Sequence, residues 1–373
     1  MSLVIAKGTC FPLFAFDVGR AIDLDAAARH VLLADAARQT IKDKRRAPAY
    51  FEYNPAPLRV AREGDPHTIG RYRTAAGVEV VIYDFGAVSL SYAIPIEGPL
   101  AGLPALADAL WGNERLLADA RRHVEELLRT LGDAVLRPHI ADFVEDYSIF
   151  QIEAFTGACE AATLWTEQAH AVAQVLRAAP HSLSQQETSD ATALRLSFGP
   201  NDATIIDGDA TLLFDAEGDD VRAVIEFANT QLLEMRFLDQ QLDNTLDRAY
   251  DTLGRRTGRF ALLGQPGADL RRLAQLQLDG AILFEQVTNA LKLVGEQYLA
   301  RVYTLVSHRF HLAEWDASIT RKLQTIDGIY AKLTDRAAGR RMELLEWIII
   351  LLFLVSIVLP FLARLFPILG APH

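Results

Sequence analysis

Hydrophobic and polar positions change period twice along this chain. Through about residue 209 the dominant period is two, interleaved with short helical patterns. Residues 11–17 (FPLFAFD) form an apolar run between Gly8 and Gly19, which predicts a buried strand. In GVEVVIYDFGAVSLSYAIPI, Val78, Val80 and Ile82 alternate with Glu79, Val81 and Tyr83, and Val88, Leu90 and Tyr92 alternate with Ser89 and Ser91. That pattern predicts an antiparallel hairpin turned by Asp84, Phe85 and Gly86, with one face more buried than the other. Residues 58–61 and 147–155 read as further strands, and 194–198 and 204–206 as short ones. Helical spacing predicts helices over 26–44 (capped by Asp23 or Asp25), 103–110, 113–130, 138–144 and 161–178. The polar stretch 180–191 reads as a loop. The resulting order, β-α-β-β-α-β with insertions, predicts an α+β fold with a ferredoxin-like sandwich over 1–209.

From there the period lengthens. Val221, Ile225, Ala228, Leu232, Met235, Leu242, Leu246, Ala249 and Leu253 fall on alternating steps of four and three, with Asp239 breaking the seam. After the loop 254–267 a second helical region begins near Asp269. Residues 210–343 are therefore expected to form a long antiparallel helical hairpin, coiled-coil-like. Its seam runs through Leu232, Met235, Asp239 and Leu242, and a break is expected near Gly328 or Gly339.

In the last segment the periodicity disappears into continuous apolarity. Trp347 to Ala363 (WIIILLFLVSIVLPFLA) carries no charge, and a helix crossing hydrocarbon needs ~17–25 apolar residues. Residues 344–366 are expected to be one transmembrane helix, with 367–373 a short tail. Arg340, Arg341, Glu346 and Trp347 mark its boundary, since basic and aromatic side chains favour the interface. The large N-terminal part then lies on the cytoplasmic side, because the N-terminus shows neither a secretory signal nor a transit peptide.

Composition narrows the functional classes. A net charge of −11 argues against whole-surface attraction for nucleic acid. Two cysteines, Cys10 and Cys159, are too few for a disulfide framework or a cysteine zinc site. Asp84–Phe85–Gly86 lacks the glycine-rich loop, strand lysine and catalytic loop that a kinase needs, so it reads as a turn. The Arg255–Arg259 loop (within GRRTGR) lacks the end of a phosphate loop; it reads as a helix connection, with local RNA contact as the alternative. His308, His311 and Glu314 are expected on one helix face, and a metal there would need further ligands from Glu226 and Glu234. Asp239 reads as a device fixing register, with Arg301, Arg309 or Arg321 as its partner. No catalytic, cofactor-binding or metal residue is assigned.

Two stretches carry a resemblance. The hairpin VIYDFGAVSL, and MELLEWIIILLFLV preceded by ITRKLQTIDGIYAKLTDRAAGRR, resemble the YagE/Rmd family, named for meiotic nuclear division and Sad-interacting factors. A second acidic residue common inside that family's span is missing here, where Ser356 to Pro360 stand. The resemblance implies a non-enzymatic, C-terminally anchored membrane protein, an oligomeric scaffold or tether, whose mitochondrial relatives support translation at a membrane. A bacterial inner-membrane location follows by analogy. The alternatives are a nucleotide- or metal-dependent enzyme on the α+β domain, or an oligomeric transporter subunit.

Overall fold

The computed structural model describes residues 3–38, 56–255 and 297–365, without the side chains of 34–38, 248–255, 330, 332–344 and 359–365. The described residues fall into two compact units: 3–240 with 297–319, and 241–255 with 320–365.

The first unit opens with β1 (Val4–Asp17), β2 (Ala21–Ile22) and α1 (Leu24–Arg38). After β3 (Leu58–Arg62) and the small β4 (Thr68–Ile69) and β5 (Tyr72–Arg73) comes the hairpin of β6 (Val78–Ile82) and β7 (Ala87–Tyr92). Short β8 (Ile94–Pro95) and β9 (Gly98–Pro99) lead to α2 (Pro104–Leu110) and α3 (Glu114–Leu131). Then follow β10 (Val135–Leu136), β11 (Val144–Phe155), α4 (Ala161–Trp165), α5 (Ala169–Leu176) and α6 (Gln185–Ala191). Strands β12 (Arg195–Leu196), β13 (Ala203–Ile206) and β14 (Ala210–Phe214) precede the long helices α7 (Asp219–Arg255), α8 (Gln297–Arg309) and α9 (Leu312–Leu365).

The large sheet runs β12-β13-β14-β11-β1-β7-β6-β3, with β8 and β9 added along β1. Its central four strands, β11-β1-β7-β6, are antiparallel throughout. β14 joins β11 in parallel, with α4, α5, α6 and the β12–β13 pair in the intervening chain. The fold is mixed α and β around one large sheet.

Both faces of that sheet are covered, which explains β1. Cys10, Phe14 and Phe16 point into a core shared with α1, α2, α3 and α5. Leu13 points into a second core built with α7 and α8. Side chains alternate with period two, so a strand buried on both faces reads as a continuous apolar run. Local signals set the helix ends. Asp23 Oδ1 accepts the Ala26 amide at 2.9 Å at the start of α1, and Asn113 Oδ1 accepts the Leu116 amide at 3.0 Å at the start of α3.

Several expectations are corrected. The architecture has three layers rather than the two of a sandwich. The sheet continues past residue 209, since β14 pairs with both β11 and β13. Residues 138–143 are not helical; the 161–178 segment is two helices; and the polar stretch near 185 is helical, capped by Ser184 Oγ on the Glu187 amide. The break in the last helical region falls at His311, whose φ is +54°, and α9 continues through Gly328 and Gly339.

The seam expected to form a coiled coil divides between the units. Residues 221–234 of α7 are buried on every side within the first unit, packed on the sheet and α8 rather than along one narrow stripe. In the second unit α7 and α9 do pair: Lys322 Nζ lies 2.6 Å from Asp243 Oδ1, and Leu242, Ile326 and Ile329 are buried. The expected second arm below 297 lies outside the described residues.

Candidate functional site

Helix α7 carries the most polar buried surface of the first unit. Arg222, Glu226, Asn229, Thr230, Gln231 and Glu234 are all buried. The sheet residues that alternate polar on the hairpin meet this face. Ser89 Oγ donates to Glu226 Oε1 at 2.7 Å, Arg59 of β3 donates to Glu79 Oε1 at 2.9 Å, and Arg59 Nη2 lies 3.8 Å from Glu226 Oε2. Arg222 closes the group, 3.6 Å from Glu79 and 3.1 Å from Asp219, its guanidinium 4.0 Å over the Phe11 ring. Burial pushes the Glu226 carboxyl up while Arg59 draws it back down. Burial opposes the Arg59 charge, and Glu226 and Glu79 outweigh it, so its affinity for the proton rises. On the outer side of α7, the Tyr303 hydroxyl of α8 donates to Gln231 Oε1 at 2.6 Å. The hairpin face read as the less buried one is thus covered by polar groups that satisfy it.

The Asp84–Phe85–Gly86 turn sits at the end of this face. Phe85 stacks on Tyr83 at 5.2 Å within the α7-side core. Gly86 has φ +101°, and a Cβ there would meet the Gly19 carbonyl oxygen at 1.8 Å. The Val18 amide donates to the Gly86 carbonyl at 2.9 Å, and the Ile22 amide to the Asp84 carbonyl at 2.8 Å. The turn therefore needs glycine for a close backbone approach as well as for its dihedral.

Of the seam residues, Leu232 and Leu242 are buried, and Met235 and Asp239 are half-buried. Asp239 Oδ1 accepts a hydrogen bond from Ser318 Oγ at 3.1 Å. Arg309, one of its expected partners, is engaged with Asp207 and Asp190 instead. His311 sits at the break before α9, with Nδ1 3.4 Å from Glu314 Oε1, so His308, His311 and Glu314 do not share a continuous helix face. Glu226 and Glu234 are committed to the interior. Among the described residues no group of three or more His, Cys, Asp or Glu is arranged to hold a metal. Of the Arg255–Arg259 loop, Arg255 closes α7 and the rest lies outside the described residues.

Two clusters were not singled out in the sequence. Asp207 receives Arg177 Nε at 2.9 Å and also pairs with Arg309, tying α5, the β13–β14 turn and α8 together. Asp119 of α3 accepts from the Tyr92 hydroxyl at 2.8 Å and pairs with Arg122, while His67 Nε2 and His123 Nε2 lie 2.9 and 3.5 Å from its Oδ2. Their members are far apart in sequence, and nothing in local spacing announces them.

The terminal part of α9 is the opposite of α7. Every described side chain from Leu345 to Val358 is exposed, including Glu346 and Trp347, the latter by 71%. The one hydroxyl, of Ser356, donates back to the Phe353 carbonyl at 2.8 Å. The side chains of Arg340 and Arg341 lie outside the described residues. Among the described residues no helix is long and apolar enough to cross a membrane.

Comparison with known proteins gives a family and a relative. A protein of Methanocaldococcus jannaschii, "Uncharacterized protein MJ0711", is 22% identical over 228 residues, covering 60% of this chain and 68% of that protein. No solved structure matches the chain. The family described as "Uncharacterized protein MJ0711, N-terminal domain" matches residues 7–220, from β1 to the first turn of α7. That is more than half of the chain and takes in all of the large sheet but the first residues of β1, and the chain belongs to this family.

Proposed function

We propose that this is a C-terminally anchored membrane protein, a non-enzymatic oligomeric scaffold or tether whose α+β unit is presented by the long helices α7 and α9. The observation that carries this reading is the end of α9. From Trp347 to Val358 an uncharged apolar helix exposes every described side chain, and the sequence remains uncharged to Ala363. An exposed apolar helix of this kind is stable only where a lipid or protein surface replaces water. The run of Trp347 to Ala363 is long enough in sequence to span, with Glu346 and Trp347 at its interface. The resemblance of LEWIII to the terminal pattern of the YagE/Rmd family supports the same placement, with the large unit cytoplasmic. It makes translation components the first partner class to test.

On this reading the four central strands are a ferredoxin-like module enlarged on both edges. The span localises, the α7–α9 pairing supports, and the α+β surface recruits. The test is alkaline extraction of membranes carrying the full chain, followed by mild crosslinking and identification of what is attached. Retention in the membrane pellet is the expected result. Release of the full chain into the soluble fraction would sink the anchor. A tightly held nucleotide in the purified protein would overturn the non-enzymatic reading.

A further inference from the structure

The interior end of the α7 polar face holds a group that the pairing described above leaves out. Glu234 is 1% exposed, and its Oε1 has no hydrogen-bond partner among the described residues. Its charged neighbour is Asp17, the last residue of β1, which is itself buried. Asp17 Oδ1 lies 2.8 Å from His139 Nε2, and the His139 ring, half-exposed, stacks on Phe237 of α7 with centroids 6.1 Å apart. The backbone holds this geometry: the His139 amide donates to the Val18 carbonyl and the Ala141 amide to the Asp17 carbonyl, each at 3.0 Å. A line of titratable groups thus leads from the interior of α7, through the end of β1, to the surface.

Among the described residues the surrounding charges offer Glu234 no compensation of this kind. On α7 itself Arg236 is bound by both Glu145 oxygens of β11, at 2.8 and 2.7 Å, with Asp146 beside them. Arg121 of α3 donates to the Ala141 and Asp142 carbonyls, and Asp84 stands in the β6–β7 turn. Burial and the neighbouring Asp17 both disfavour an ionised Glu234, and His139 beside Asp17 is the counter-charge available to that pair.

We propose that Asp17, Glu234 and His139 form a pH-sensitive latch that holds the middle of α7 against the end of β1 at mildly acid pH and loosens as its protons are lost. Burial, with Asp17 beside it, pushes the Glu234 carboxyl well above the ordinary carboxylate range; burial raises Asp17, though His139 draws it back; and the Asp17 carboxylate 2.8 Å away raises His139. All three groups hold protons more tightly in the folded protein. Their contribution is therefore complete at low pH and lost as pH rises through their folded values. The latch is independent of the membrane anchor, since every residue in it belongs to the first unit.

Hydrogen exchange of the full chain in detergent tests it, with rates corrected for intrinsic exchange. Between about pH 6 and about pH 9, protection over residues 227–240 is expected to fall roughly tenfold while protection of α3 stays constant. Glu234→Gln is expected to flatten the α7 dependence, and His139→Gln to lower protection at the acid end. Constant wild-type protection of α7, an equal loss in α3, or an unchanged slope in Glu234→Gln would each overturn the latch. Should Glu234→Gln fail to fold, infrared spectroscopy of the wild type decides. A protonated carboxylic acid band near neutral pH that disappears together with α7 protection upholds it, and no such band refutes it.

Discussion

Two helical segments of this molecule invert the usual relation between polarity and burial, in opposite directions. Residues 221–234 of α7 carry Arg222, Glu226, Asn229, Thr230, Gln231 and Glu234, yet every position is buried. Residues 347–358 of α9 carry a single hydroxyl and no charge, yet every position is exposed. The first is tolerable because its partners lie inside the chain, in Arg59, Glu79, Ser89 and Tyr303. The second has no cover among the described residues. A buried polar helix identifies its partner in the fold; an exposed apolar one identifies an environment.

The sharpest way to break the contrast is to make the end of α9 polar. Leu352→Arg combined with Val355→Arg is expected to remove ~5–7 kcal/mol of insertion free energy, at ~2.5–3.5 kcal/mol per central arginine. If the end of α9 is the proposed anchor, the full chain should move from the membrane pellet to the soluble fraction while its circular dichroism is preserved. A variant that stays in the pellet would mean that lipid is not what covers this helix.

Next in size is the buried ion group under α7. Arg59→Met leaves Glu226 and Glu79 with only the more distant Arg222 as a shared cation and is expected to cost ~3–5 kcal/mol in denaturant unfolding of the first unit. Adding Glu226→Leu should recover a large part of that loss, because the uncompensated charge is then gone. A loss below ~1 kcal/mol for Arg59→Met would show that water reaches this layer.

A smaller effect comes from pH. Burial pushes Glu145 up to about 7 although Arg236 pairs with both its oxygens. Its folded value exceeds its ordinary 4.5, so the stability it contributes is present at acid pH and is lost as pH rises through about 7. Glu145→Gln is expected to remove on the order of 2 kcal/mol of that decline, read from unfolding midpoints on either side of neutrality. An unchanged pH profile in the variant would assign the decline to other groups.

The smallest change concerns Asn229, buried to 1% exposure with both side-chain polar atoms lacking a hydrogen-bond partner among the described residues. Asn229→Leu is expected to be neutral or to stabilise by about 1 kcal/mol, since it removes a desolvated amide that gains nothing in return. Clear destabilisation would show that a water molecule or another ligand satisfies that amide.

Much of the first unit was legible because its signals are local. The alternation in residues 78–92, the Asp23 cap and the glycine at Gly86 each act within a few residues of chain. The clusters around Asp119 and Asp207 were not legible, because they assemble residues 52 and 132 positions apart (His67 to Asp119, Arg177 to Arg309). The helix predicted over 138–144 failed for the same reason: that segment is held extended by backbone bonds to β1, which its own sequence does not encode.

By itself the sequence determined the strand hairpin, the approximate length of α7 and the apolar character of the last helix. Each follows from period, capping and composition along a single stretch. Only the tertiary structure decided where the polar faces go. Ser89 and Glu79 alternate with apolar positions in a hairpin expected to bury one face more than the other, and a step of three and four along α7 reads as a coiled-coil seam. A polar strand face and a polar helix face can be buried against each other when their charges and hydrogen bonds match, and that match exists only in three dimensions.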